Sequence, residues 1–480
     1  MRLTHILSAA AALAFAVAPA FAQSHGVSPM FTLGPHADTA SVSASSSTGS
    51  NYLLFTCQIP GSSFSCYDPY QMRHAYGVDS LIASGYDGRG KTIVIIDGFS
   101  DPNLAADFNY FINYYGLTPM NGLGNPTNPA LPTFKVIAPQ GAGPANANWS
   151  GEMSLDVEWA HAIAPGANIT LVTAKSSLSS DMLAATKYAI DNQLGDVISQ
   201  SFGMNESCVD PTVMAQQHEL FVEATQKKIT LFASAGDYGT TQVNCDGTAL
   251  VKAASSPAVD PLVTAVGGTE LHAAPYCLSV LGCVPAQNPA PGTYQGEVVW
   301  NESTLVPGGE ATGGGYSVVF DEPPSQEGTI HGGKQRGAPD VAYNAAVYHG
   351  VLTYIVGAWN LVGGTSAGSP QWAAITAIAD QRAGHNLGYI NSALYRIGQS
   401  SMSHTSFNDV VSGNNSWAGI TGYSAAPGWD AVTGFGSPEG DNMVSNLLSL
   451  VSAGDGTAAI AASKPHTNAK PNANGHVQSH

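Results

Sequence analysis

A chain of 480 residues with 44% hydrophobic side chains can bury a large core, yet only 10% of its residues are charged, against about 25% in ordinary soluble domains. Its 16 Lys and Arg against 34 Asp and Glu give a formal net charge of −18, which argues against nucleic acid or an anionic membrane as partner. Beyond the N-terminus no apolar run approaches the ~20 residues of a membrane span, so no membrane partner is expected, and the chain is read as a monomer.

In chain order, residues 1–22 read as a secretory signal, with Arg2, an apolar stretch and Ala20-Phe21-Ala22 before Gln23. A secreted or periplasmic protein is the expectation. Residues 23–66 are read as a short disordered lead-in, rich in Ser, Ala, Gly and Thr without periodicity, closed by a Cys57 to Cys66 loop. Exported cysteines imply disulfides, and local spacing suggests Cys57–Cys66, Cys208–Cys245 and Cys277–Cys283, though other pairings stay open. Lys91–Ile96 is a β-branched run ending at Asp97, the pattern of a strand buried on both faces. Similar runs recur at 168–173, 197–201, 229–233 and 262–266, with helix-length segments at 181–193 and 212–226 between them. Strand alternating with helix predicts a doubly wound α/β domain with a mostly parallel sheet over residues 67–452. Residues 277–333 read as Gly/Pro-rich surface loops, and 453–480 as a disordered tail.

Three stretches carry chemistry. Residues 150–166 predict a helix capped by Ser150 and stopped at Pro165-Gly166. At about 100° per residue Glu152, Asp156 and Trp159 share a stripe beside the apolar one, while Ser154, Glu158 and His161 face the other way. No Lys or Arg lies between Lys135 and Lys175 to pair with the two carboxylates. Side by side and buried, they would share a proton, leaving an acceptor usable in acid. Leu231–Gly239 is a strand ending in a turn with Asp237 at its tip, where a protonated carboxyl could donate to an oxyanion. In Gly363-Gly364-Thr365-Ser366-Ala367-Gly368-Ser369-Pro370 the glycines allow a sharp turn and Pro370 suits a first helical turn. Ser366 then sits at a helix N-terminus, as a nucleophile or as a plain cap.

Together these motifs, with Ala164-Pro165-Gly166-Ala167, resemble the sedolisin family of serine-carboxyl peptidases over roughly Tyr67 to Leu450. The resemblance implies a subtilisin-like fold with a seven-stranded parallel sheet and hydrolysis of peptides or proteins in acid, by endopeptidase or tripeptidyl peptidase action. It implies Ser366 as nucleophile, Glu152 as general base, Asp156 as the carboxylate that orients Glu152, and Asp237 as the oxyanion acid. It further implies Ser201-Phe202-Gly203 as the substrate-pairing edge and Gly314, within Gly313–Ser317, as a second wall. Asp97 and Phe202 occupy places where some members have Glu and Trp. One structural Ca²⁺ is implied on Asp409, Val410, Ala426, Gly428 and Asp430, side-chain and carbonyl oxygens being the hard ligands that ion takes. The family carries a large folded pro-domain, whereas only residues 23–66 lie between signal and domain here.

Two rival readings are weaker. A Ser-His-Asp peptidase needs a histidine where this chain has Glu152 and an asparagine where it has Asp237, and His161 points away from the Glu152 stripe. An inactive binding protein on the same fold has no reason to hold all four catalytic residue types.

Overall fold

In the computed structural model, residues 26–45, 49–124, 127–279, 282–284, 288–305, 309–330 and 333–465 are described. The expected signal at 1–22 and the end of the tail lie outside them.

Seven strands run parallel in one sheet, in the order Phe134–Ile137, Asn168–Ala174, Thr92–Gly98, Val197–Gln200, Thr230–Ser234, Thr264–Ala273 and Val341–Asn344. The β-branched runs expected as strands form five of them, because side chains on both pleat faces are buried: the neighbours Ile95 and Ile96, and Leu171 and Val172, have no exposed surface. An eighth strand, Tyr294–Val299, pairs antiparallel with the far end of Thr264–Ala273. The 277–333 stretch is therefore more ordered than the expected loops, with a second strand at Gly315–Asp321.

Two helices pack against each other and the sheet, Ala147–Ile163 and Gly368–Ala383. Another pair, Ser179–Asp191 and Pro211–Gln226, covers it further. The first pair is buried almost throughout, with Trp159 and Trp372 fully enclosed. Asp97, Ser201 and Asp237 all lie at or just past the carboxyl ends of their strands, where sites form in such sheets.

Both ends of the described chain differ from expectation. Instead of a disordered lead-in, residues 28–67 supply five strands: Ser28–Pro29, Thr32–His36, Thr39–Ser45, Asn51–Phe55 and Ser65–Tyr67. A segment of low hydrophobicity has no core of its own, but sheet edges elsewhere satisfy its backbone, and Tyr52, Leu54 and Phe55 are buried. The expected tail begins with a helix, Asp455–Ala462, whose small side chains lie close to Thr225 of Pro211–Gln226. Cys57–Cys66 and Cys208–Cys245 are bonded. Cys277 and Cys283 are not; they are free thiols in contact. Short sequence separation alone does not give the Cβ geometry a disulfide requires.

Candidate active site

The helix bearing the two carboxylates starts earlier than expected. Asn146, not Ser150, is its cap, taking the N–H groups of Asn148 and Trp149 at 3.1 and 3.2 Å. The helix has no water-facing side. Ser154, Glu158 and His161 are buried among other elements: Glu158 accepts the Tyr354 N–H at 2.9 Å, and His161 Nε2 meets the Thr118 carbonyl at 2.8 Å. Burial holds the His161 pKa down to about 3, so the imidazole is neutral.

Ser366 lies in a tight turn, Thr365–Ala367, leading straight into Gly368–Ala383. Gly364 before it has φ +101°, open to glycine alone at low cost. The fully buried Ser366 hydroxyl donates to the Ser201 carbonyl at 3.2 Å and adjoins Glu152, whose ionised form it favours. In this rotamer neither Glu152 oxygen has a hydrogen-bond partner.

Four buried carboxylates surround the serine. Burial, then the charges of Asp156 and Asp97, push Glu152 well above the usual carboxylate range. Asp156 is pushed up by burial and by Asp97, and is held back by the Ser201 hydroxyl that donates to it at 2.8 Å. Asp97, with both oxygens unpartnered, is pushed up by burial to about 8. Asp237 rises to about 7 by burial, held back by Thr365, whose N–H and hydroxyl both donate to its Oδ1 at 2.8 Å. None of the charges acting most strongly on these four is a cation. The cluster can therefore keep only part of its negative charge, and its members share the rest of their protons. Glu310, which the sequence did not single out, is buried near Asp237 and raised by burial, Asp237 and Glu302. It lies in a loop-like stretch with no periodic signal.

The other face of the site is filled by the chain's own N-terminal segment. The Met30 N–H donates to the Ser201 carbonyl at 3.1 Å, and the Met30 carbonyl accepts the Ser366 N–H at 2.9 Å. Pro29 and Ser28 pair antiparallel with Phe202 and Gly203. So Ser201, Phe202 and Gly203 do form an edge that holds an extended backbone. The Met30 carbonyl oxygen and the unpartnered Asp237 Oδ2 stand 2.5 and 2.7 Å from the point a Cβ on Gly364 would take. A carbonyl oxygen, a main-chain N–H and a carboxyl of raised pKa thus converge beside Ser366. Gly314 packs on Ala431 and Pro339, and its neighbour Gly313 packs on Ala235 and Gly236, beside the Asp237 turn.

The residues expected to hold calcium also meet. The Gly428 N–H donates to Asp409 Oδ2 at 2.8 Å and the Ala426 N–H to Asp430 Oδ2 at 2.9 Å, so one turn joins both carboxylates. Burial raises Asp409, and pushes Asp430 up to about 6. Val410 is buried beside Asp409. Elsewhere Glu270, His272 and His349 cluster, Glu270 Oε1 standing 3.4 Å from each imidazole.

The Subtilase family pattern matches residues 141–436. Kumamolisin from Bacillus sp. (strain MN-32) is 33% identical over 394 residues, which is 80% of this chain and 64% of kumamolisin. Sedolisin from Pseudomonas sp. (strain 101) is 33% identical over 298 residues, 60% of this chain and 47% of that protein. The chain thus spans from about half to just under two thirds of the length of these two relatives. Among solved structures, Pseudomonas sedolisin (serine-carboxyl proteinase) complexed with two molecules of pseudo-iodotyrostatin superposes with a TM-score of 0.68 at 27% identity. That match covers 82% of this chain and all of the other. The α/β architecture is thus subtilisin-like.

Proposed function

Because the chain belongs to the sedolisin family, we propose that it is an exported serine-carboxyl peptidase that hydrolyses peptide bonds of peptides or proteins in acid. The observation that carries this reading is Ser366 beside Glu152 in a cluster of buried carboxylates, with no imidazole hydrogen-bonded to Ser366 among the described residues. Ser366 Oγ attacks the carbonyl held against the Ser366 N–H while Glu152 takes the hydroxyl proton. Asp156, fixed by Ser201, keeps one charge shared with Glu152 and so holds Glu152 as acceptor. The oxyanion receives the Ser366 N–H and a proton-bearing Asp237, whose raised pKa keeps it a donor in acid. Glu152 returns its proton to the leaving amine, and water repeats the cycle on the ester. Ser201, Phe202 and Gly203 hold the acyl-side backbone, with Gly314 as part of the facing wall.

Asp409 and Asp430, with the carbonyls of Val410, Ala426 and Gly428, fit a single calcium ion. They are hard oxygen donors, two of them carboxylates drawn to one turn without a lysine or arginine among the charges acting on them. Its role there would be structural, entering no step of the chemistry.

The test is hydrolysis of an unfolded protein between pH 3 and 8, with Ser366→Ala in parallel and labelling by a peptide aldehyde. The wild type should act below neutrality and be labelled on Ser366, and Ser366→Ala should fold and show no turnover. Turnover by purified Ser366→Ala would overturn the assignment.

A further inference from the structure

Two strands from different sheets bring nitrogen and oxygen donors together outside the catalytic cluster. Glu270 and His272 stand two residues apart in Thr264–Ala273, so their side chains leave the same face of the strand, while Leu271 between them is fully buried. His349 opens His349–Ile355, which pairs with Ser65–Tyr67 on one side and Ala358–Gly363 on the other. One carboxylate oxygen, Glu270 Oε1, stands 3.4 Å from His272 Nε2 and 3.4 Å from His349 Nδ1. The two imidazole rings are 4.7 Å apart and meet at 85°. One donor atom from each of the three residues lies within 4.8 Å of the others. The backbone beneath them is fixed by a buried amide: Asn344 accepts the Leu271 N–H at 3.0 Å and donates to the His349 carbonyl at 2.8 Å. The buried Tyr67 hydroxyl donates to the Leu271 carbonyl at 2.7 Å.

Direct ion pairing does not account for this spacing. Elsewhere in the chain imidazole and carboxylate close to 2.6 Å at His74 and Asp79, and to 2.8 Å at His218 and Asp260, the range of charge-assisted hydrogen bonds. Glu270 stays at 3.4 Å from both of its partners. With metal–donor bonds of about 2.0 to 2.1 Å, two ligands of a tetrahedral zinc ion stand about 3.3 to 3.4 Å apart, which is the length of both edges here. We propose that Glu270, His272 and His349 form a site for a divalent transition-metal ion, Zn²⁺ by its donor set, and that the ion staples Thr264–Ala273 to His349–Ile355. Two imidazole nitrogens and one carboxylate suit zinc rather than calcium, which takes oxygen ligands, so the site differs in kind from the turn at Asp409 and Asp430. Glu270 Oε1, His272 Nε2 and His349 Nδ1 fill three positions, and because all three side chains reach solvent the fourth goes to water. His272, at 44% the most exposed, moves to close the edge between the imidazoles. When Nδ1 of His349 binds, its ring proton sits on Nε2, and the Leu271 carbonyl, 3.1 Å from Nδ1, keeps the Tyr67 hydroxyl as donor. Glu302 adds negative charge near Glu270, but its own oxygens already accept from Trp300, Val347 and Tyr348, so it is no fourth ligand. The ion would join the central sheet to the strand pair that runs into the Ser366 turn, and it enters no step of hydrolysis.

The experiment titrates Zn²⁺ and Co²⁺ into the full chain after treatment with chelator, at about pH 7.5, where protons compete least for imidazole, with calcium in excess to occupy any all-oxygen site. Wild type should bind Zn²⁺ and show a raised melting temperature with it, and its Co²⁺ form should show the intense visible absorption of tetrahedral coordination. Glu270→Gln, His272→Ala and His349→Ala should each weaken Zn²⁺ binding by more than the roughly 10- to 100-fold that loss of an outer-shell partner costs, and should abolish the Co²⁺ band. His74→Ala, which removes a histidine from a plain ion pair, should change neither. Glu270→Gln keeps the size of the side chain, and a metal-free melting temperature matching that of the wild type shows that its lost affinity is not lost folding. No binding of Zn²⁺ by the wild type overturns the site. Zn²⁺ bound equally by wild type and the three ligand variants is held elsewhere and overturns it too, as does a Co²⁺ form with only the weak absorption of octahedral coordination. A Zn²⁺-dependent rise in melting temperature that survives in the ligand variants overturns the staple.

Discussion

Replacing Asp237 with asparagine separates the two groups that could end activity as the pH rises. Asp237 Oδ1 accepts both the N–H and the hydroxyl of Thr365 at 2.8 Å, and an amide oxygen can keep both bonds. The Oδ2 position, partnerless in the wild type, becomes an NH₂ that donates at every pH. Peak kcat should fall because the amide is a weaker and differently placed donor; losing an oxyanion donor outright costs about 10²- to 10³-fold. The residual activity should persist to higher pH, because the carboxyl that deprotonates near about 7 is gone. Stability gives an independent reading. A rise from 3.8 to about 7 means that Asp237 contributes stability in full below about pH 4 and loses it as the pH climbs to about 7. That is worth about 4 kcal/mol across the window. In Asp237→Asn the fall in unfolding free energy between pH 4 and pH 8, measured by denaturant titration, should shrink by up to that amount. A pH–rate profile whose alkaline limb superimposes on that of the wild type would assign the limb to Glu152 and Asp156 instead. A wild-type optimum above neutrality would refute the carboxyl mechanism.

Other expectations follow from the same structure. Chelator should lower the melting temperature, since Asp409 and Asp430 lose a shared counter-ion; an unchanged melting curve together with no calcium by elemental analysis removes the site. Wild-type thermal stability should be greatest near about pH 4 and fall toward neutrality, because burial raises Asp97 to about 8 and Asp380 and Glu206 to about 7. His161 has the opposite sign, its stability being lost as pH drops from 6.5 toward about 3, so the melting temperature should decline again below the maximum. A melting temperature that rises steadily from pH 4 to pH 8 would contradict the buried-carboxylate account.

The sequence by itself determined the alternating strands and helices, because a strand buried on both faces must be apolar throughout and Ile93–Ile96 allows little else. It also singled out Glu152 and Asp156 on one helix stripe, Asp237 at a strand-end turn and Ser366 at a helix start, while their roles were implied by the resemblance to the sedolisin family. It misjudged what depends on distant partners. The Glu152 helix looked amphipathic because a polar residue in sequence gives no sign that Tyr354 or Thr118 will meet it across the core. Asp97 gave only a carboxylate at a strand end; that it lies unpartnered among three other buried carboxylates is a property of where four strands and helices converge. Residues 26–36 carry no periodic signal, since their order comes from hydrogen bonds to Ser177, Ser201, Ser366 and the Ala358–Gly363 edge rather than from any core of their own. Only the tertiary structure decided that a strand lies in the cleft, because backbone pairing is indifferent to side-chain pattern and depends on which edge is left open nearby.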